Sequence, residues 1–169
     1  MRLEIETVIA APRERCFDLS RDLDLHLRSM HASGERAVGG RTSGLIGLDE
    51  EVTWEARHFG VLHRHSSRIT AFQRPAHFRD SMIKGRFRRF EHDHYFTDTG
   101  KTTLMRDVIE FASPLGWLGR LVDQPAVVAR LDELFDLDRA IAAKAAPGGT
   151  APEAVRAALD VALRAVSGS

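Results

Sequence analysis

The chain has 169 residues, 43% hydrophobic and 28% charged, which suits one soluble globular domain with a sizeable core. Lys plus Arg and Asp plus Glu number 24 each, so the formal net charge is zero and gives no electrostatic basis for binding nucleic acid or an anionic membrane. A single cysteine, Cys16, excludes an intramolecular disulfide, and no run of about 18 apolar residues marks a membrane span.

The N-terminal stretch 2–10 alternates, with Leu3, Ile5 and Thr7 on one face and Glu4 and Glu6 on the other, and so reads as a strand with one wet face. It carries no apolar leader segment, and a cytoplasmic location is the expectation. Pro12 suits a first helical turn, which predicts a helix over 13–20 burying Cys16 and Phe17. Cys16 is expected to be a small buried residue and not a nucleophile. A second short helix is predicted over 22–31, capped by Asp22 and burying Leu23, Leu27 and Met30. Five glycines between Gly34 and Gly47 mark a strand at 35–38 followed by turns. They lack the strand-then-helix setting and the lysine of a phosphate loop.

Strands are then predicted at 51–59, 61–72, 77–84, 87–97 and 101–111, with a hairpin at Asp98-Thr99-Gly100. Ser113-Pro114 opens a long helix to about Lys144. Its apolar stripe includes Leu121, Leu131, Phe135 and Ile141, and Pro125 must kink or divide it. Residues 145–150 form a linker, and 152–166 an alanine-rich amphipathic helix. The fold class is therefore α+β: a seven-stranded antiparallel sheet with two short helices after its first strand, wrapped around a long C-terminal helix. The division expected is a domain over 1–143 and a tail over 144–169.

The strands from Phe78 to Phe111 carry an unusual mixture. Asp80, His92, His94 and Asp107 fall on the same alternation as Phe78, Met82, Phe90, Phe96, Met105 and Phe111. His63 and His65 alternate with Ser67 and Ile69, and Trp54 with Val52 and Ala56. Such a face is an odd core and a reasonable pocket wall. Three readings stand: a polar floor that orients a ligand, a metal site, or a structural network satisfied within the protein. His94 with Asp107 is the best candidate acid/base pair, since a carboxylate fixes an imidazole's tautomer. A His-x-His pair brings no third ligand at a fixed spacing, so neither tightly bound zinc nor any cofactor is expected.

Phe78-x-Asp80, Gly85-x-Phe87, His92-x-His94-x-Phe96, Thr103-x-Met105-x-Asp107 and Ser113-Pro114-x-Gly116 together resemble the START-like superfamily over roughly residues 1–143. That superfamily is also called SRPBCC or helix-grip, and includes polyketide cyclases, Bet v 1-like proteins and lipid-transfer domains. The likeness is to small bacterial ligand-binding members. It implies a pocket between sheet and C-terminal helix and no shared catalytic residue. Trp54, His63, His65, Asp80, Met82, Phe90, His92, His94, Met105, Asp107, Leu131 and Phe135 are then the expected ligand-binding residues.

The function expected is non-covalent binding or transport of a hydrophobic or amphipathic small molecule: a lipid, a polyketide-like aromatic or an isoprenoid. The alternatives are a cyclase or dehydratase using His94 and Asp107 in acid/base catalysis, and a protein-interaction module. A monomer or homodimer without nucleic acid or stable membrane insertion completes the expectation.

Overall fold

In the computed structural model the described residues are 2–29, 34–58, 61–112, 140, 141 and 144. Strand β1 (Arg2–Ile9) leads into helices α1 (Arg13–Ser20) and α2 (Leu23–Ser29). Six strands follow: β2 (Arg36–Gly40), β3 (Glu51–His58), β4 (Val61–Gln73), β5 (His77–Lys84), β6 (Arg89–Asp98) and β7 (Thr103–Ala112). They form one seven-stranded sheet in the order β1-β7-β6-β5-β4-β3-β2. Every pairing is antiparallel. The α+β architecture is thus the expected one. Among the described residues no helix is long and apolar enough to cross a membrane.

Local chemistry accounts for the element ends. Asp22 caps α2 as expected, its Oδ1 accepting from the Asp24 and Leu25 amides at 3.0 and 3.1 Å. Leu23 is buried as expected and Leu27 packs partly buried against the core, Leu25 is buried as well, and Met30 lies outside the described residues. Gly40 has φ of +69°, and a Cβ there would lie 2.2 Å from the Glu51 carbonyl oxygen, so the chain can turn out of β2 only through glycine. Strand β6 begins two residues later than expected, because the chain bends through 85–88 after Gly85. The β6–β7 hairpin closes as expected at Gly100, whose amide reaches Asp98 Oδ1 at 2.7 Å.

One face of the sheet, the inner face, carries α1. Cys16 and Phe17 are fully buried there. The Phe17 ring meets Phe72, Phe78 and Phe96 edge-on, with centroids 5.3, 5.4 and 5.5 Å away. Burial also raises the Cys16 thiol pKa, which suits the inert role expected of it. Of the long C-terminal helix expected, residues 140, 141 and 144 are helical. Ile141 joins the same core at 1% exposure. Arg15 Nη2 donates to the Lys144 carbonyl at 2.6 Å. The remainder of that helix, the kink at Pro125, the linker and the 152–166 helix lie outside the described residues.

The outer face is a lattice of cross-strand ion pairs. Glu55 lies between Arg36 and Arg64, Arg68 meets Glu51, and Arg106 meets Glu4 at 3.0 Å. Each exposed pair contributes about 0–1 kcal/mol. Arg89 pairs with Glu91 at 2.8 Å on this face, while Arg86 and Arg88 are exposed in the bend before β6, so the basic run is solvated as expected but only Arg89 of it lies on a strand.

Candidate functional site

Strand pairing alone assembles the site. Across β5–β6, Phe78 pairs with His94 and Asp80 with His92. Across β6–β7, His94 pairs with Asp107 and His92 with Ile109. Across β1–β7, Ile5 pairs with Asp107. Side chains on directly opposed residues share a face. Asp80, His92, His94 and Asp107 therefore converge on the inner face, one step along β6 from the core around Phe17.

Asp107 is the anchor. Its Oδ1 lies 2.8 Å from His92 Nε2 and 2.7 Å from His94 Nδ1. The imidazole rings lie one over the other, centroids 3.7 Å apart, and His94 stacks on Phe78 at 4.2 Å. Side-chain exposure is 4% for His92, 7% for His94 and 4% for Asp107, against 24% for Asp80. The cluster is therefore sealed on the Asp107 side and reachable past Asp80. Asp80 Oδ2 lies 3.7 Å from His92 Nδ1 and 3.6 Å from His94 Nε2, longer than hydrogen bonds. Asp80, His92 and His94 each bring one potential ligand atom to within 4.8 Å of the others.

Charge is distributed unequally over the two rings. Burial opposes a proton on His94, but Asp107 and then Asp80 outweigh it and pull its pKa up to about 9. Burial and the neighbouring His94 charge push His92 down, against the pull of Asp107. For Asp107, burial is outweighed by His94 and by hydrogen bonds from both rings, which hold its carboxyl well below the usual carboxylate range. With His94 as imidazolium and Asp107 as carboxylate, the buried ion pair is satisfied on Oδ1. Asp107 Oδ2 is buried and has no hydrogen-bond partner among the described residues.

The other expected residues fall on the same face at different depths. Met105 is fully buried, opposite Phe96 and Thr7. Phe90 is buried opposite Phe111. Met82 pairs with Ser67 and sits beside Gly85, where an added Cβ would meet Met82 Sδ at 2.2 Å. Trp54 is buried, opposite His65, and its ring lies 4.5 Å from that of His26. His63 lies opposite Ala56. His65 is four residues along β4 from Ile69, the partner of Asp80, which is about 13 Å of strand. These two histidines line the same face but a separate stretch of it. Leu131 and Phe135 lie outside the described residues. Phe78 was absent from the expected set, although it sits two residues before Asp80 on the same alternation. A second buried carboxylate, Asp93, faces the other way, bonded by His77 at 2.6 Å and Arg79 at 2.8 Å on the outer face.

No family model and no curated protein matches the chain. Solved structures do. TTHA0849 from Thermus thermophilus is 18% identical with a TM-score of 0.65, covering 86% of this chain and 100% of that one. Ginseng major latex-like protein 151 from Panax ginseng is 16% identical with a TM-score of 0.63, covering 87% and 98%. CalU16 from Micromonospora echinospora is 13% identical with a TM-score of 0.56, covering 98% and 88%. At such identities the likeness carries the fold alone. The chain shares the fold of these proteins, a seven-stranded antiparallel sheet with two short helices after its first strand.

Proposed function

We propose that the protein binds a hydrophobic or amphipathic small molecule against the inner face of the sheet, with its polar end on Asp80, His92, His94 and Asp107. The observation that carries this reading is the quartet itself, three of its members buried, set beside the aromatic and aliphatic side chains of the inner face and reachable past Asp80. Aromatic and aliphatic walls would supply affinity at about 25 cal/mol per Å² of apolar surface removed from water. The quartet would supply orientation: His94 as a cationic donor, and Asp80, its most exposed member, as an acceptor for a hydroxyl of the ligand. Met82, Trp54, His63 and His65 would contact its far end. Leu131 and Phe135 are proposed as further ligand contacts. A lipid, a polyketide-like aromatic or an isoprenoid fits this chemistry, and a free monomer or homodimer suffices for it.

The acid/base alternative rests on one observation, the 2.7 Å contact between His94 and Asp107. A general base must be unprotonated at working pH, and an acid works best with a pKa near it. An imidazole held protonated to about pH 9 meets neither condition well. The binding reading is therefore the stronger. Mass spectrometry of small molecules released from the purified native protein tests it. An amphipathic molecule near one per chain supports binding. Protein that is empty from every host, and takes up no lipid or aromatic polyketide added to it, counts against it.

A further inference from the structure

We propose that Asp80, His92 and His94 form a binding site for a divalent first-row transition-metal ion of the zinc or iron(II) kind, with Asp107 as the residue that positions both imidazoles. This goes beyond the binding of an organic ligand and does not depend on it.

The argument is one of donor geometry. Both rings turn one nitrogen to Asp107 Oδ1, His92 through Nε2 at 2.8 Å and His94 through Nδ1 at 2.7 Å. A carboxylate oxygen only accepts, so each of those nitrogens carries a hydrogen. That fixes the tautomers and leaves His92 Nδ1 and His94 Nε2 as the potential ligand atoms. Both are then presented to Asp80 Oδ2, at 3.7 and 3.6 Å. The separations are too long for hydrogen bonds. They suit two ligands on one ion: donors about 2.1 Å from a metal at near-tetrahedral angles stand about 3.4 Å apart. One ligand atom from each of the three residues lies within 4.8 Å of the others'.

The surrounding residues complete the pattern. Metal-bound histidines characteristically give their second N–H to a carboxylate, which fixes the ring and raises its basicity. Asp107 does this for both rings at once and is itself buried. Phe78 stacks on His94 and holds its plane. Two imidazoles and one carboxylate leave coordination positions open, as in catalytic zinc sites and non-haem iron(II) sites. The 24% exposure of Asp80 gives those positions a route to solvent or to a ligand. Loading requires His94 Nε2 to be free of a proton, so zinc affinity should fall as pH is lowered. No third ligand could be found from linear spacing, because Asp80 enters from the neighbouring strand.

Isothermal titration of the chelator-stripped full chain with zinc sulfate, and absorption spectra with cobalt chloride, test the site. One equivalent should bind, the cobalt spectrum should show visible bands of a low-symmetry site, and zinc should raise the melting temperature. Asp80→Asn, whose side chain is partly exposed, should keep the circular dichroism of the wild type and lose at least about tenfold in zinc affinity. Asp107→Asn should weaken binding about 10–100-fold through misorientation of the rings. His77→Gln, on the outer face, should leave binding unchanged. Absence of a one-equivalent event, or one that survives Asp80→Asn and falls with His77→Gln, overturns the assignment. Neither result bears on whether an organic molecule is released from the native protein, so the two readings fail separately.

Discussion

Asp107 Oδ1 lies 2.7 Å from His94 Nδ1, directly across the β6–β7 pair, with both residues more than nine-tenths buried. A carboxylate taken out of water needs a partner of opposite charge, and the raised pKa of His94 and the lowered pKa of Asp107 are two sides of that need. The same contact orients the ring that the proposed ligand would meet.

Asp107→Ala should therefore be far more damaging than the loss of an outer-face carboxylate. Leaving the buried His94 imidazolium without its counterion, and His92 Nε2 without its acceptor, should destabilise the fold by about 3–5 kcal/mol. Glu51→Ala, which removes an exposed partner of Arg68, should cost about 0–1 kcal/mol. Urea denaturation of the two variants decides the point. Comparable losses would mean that the Asp107 pair is effectively solvated.

Phe78 links the core to the polar site. Its ring meets Phe17 at 5.4 Å on one side and stacks on His94 at 4.2 Å. Phe78→Ala should cost about 3–5 kcal/mol through the cavity it leaves. It should also broaden or shift the His94 imidazole resonances while leaving those of His77, on the outer face, in place. A variant that loses stability without disturbing His94 would separate the core from the site.

Acid should act through Asp18. Its carboxylate bridges Arg74 at 2.7 Å and Arg21 at 2.9 Å. The Arg74 hydrogen bond, with help from Arg21, holds its pKa below the ordinary value despite partial burial. A folded-state pKa below the unfolded one, about 3.9, gives stability that is present above that pH and lost as pH falls through the folded value. Melting temperatures should accordingly drop more steeply below about pH 4 in the wild type than in Asp18→Asn. Parallel curves for the two proteins would contradict this.

The inner face was legible because strand alternation is a local rule: residues two apart share a face whatever the rest of the chain does. That is why Asp80, His92, His94 and Asp107 could be grouped before any strand was paired. Neighbouring strands followed from the hairpin connections, but their register was not legible. Register depends on turns and bulges, and β4 slips by one residue between Ile69 and Ala71. That slip lets Phe72 and Ile69, three apart, both enter the core, while His65 and His63 lie away from Asp80 because they are four and six residues along β4 from its partner Ile69. The third donor of the proposed metal site was hidden for the same reason, since a strand pair and not a sequence interval brings Asp80 to His92. The start of β6 was misplaced because Phe87 has strand-forming character and packs on Phe90 and Phe111 from within a bend.

The account stands most directly on one comparison: the affinity of the molecule released from the native protein for the wild type and for His94→Ala, by calorimetry, with the mixture checked for product. A hydrogen bond to a charged group contributes about 1.5–3 kcal/mol, so affinity should fall by about tenfold or more, with the molecule recovered unchanged from both proteins. Equal affinity for the two proteins would remove the quartet from the binding site. Conversion by the wild type, reduced by about two to four decades in His94→Ala, would make His94 an acid/base catalyst and contradict the binding account.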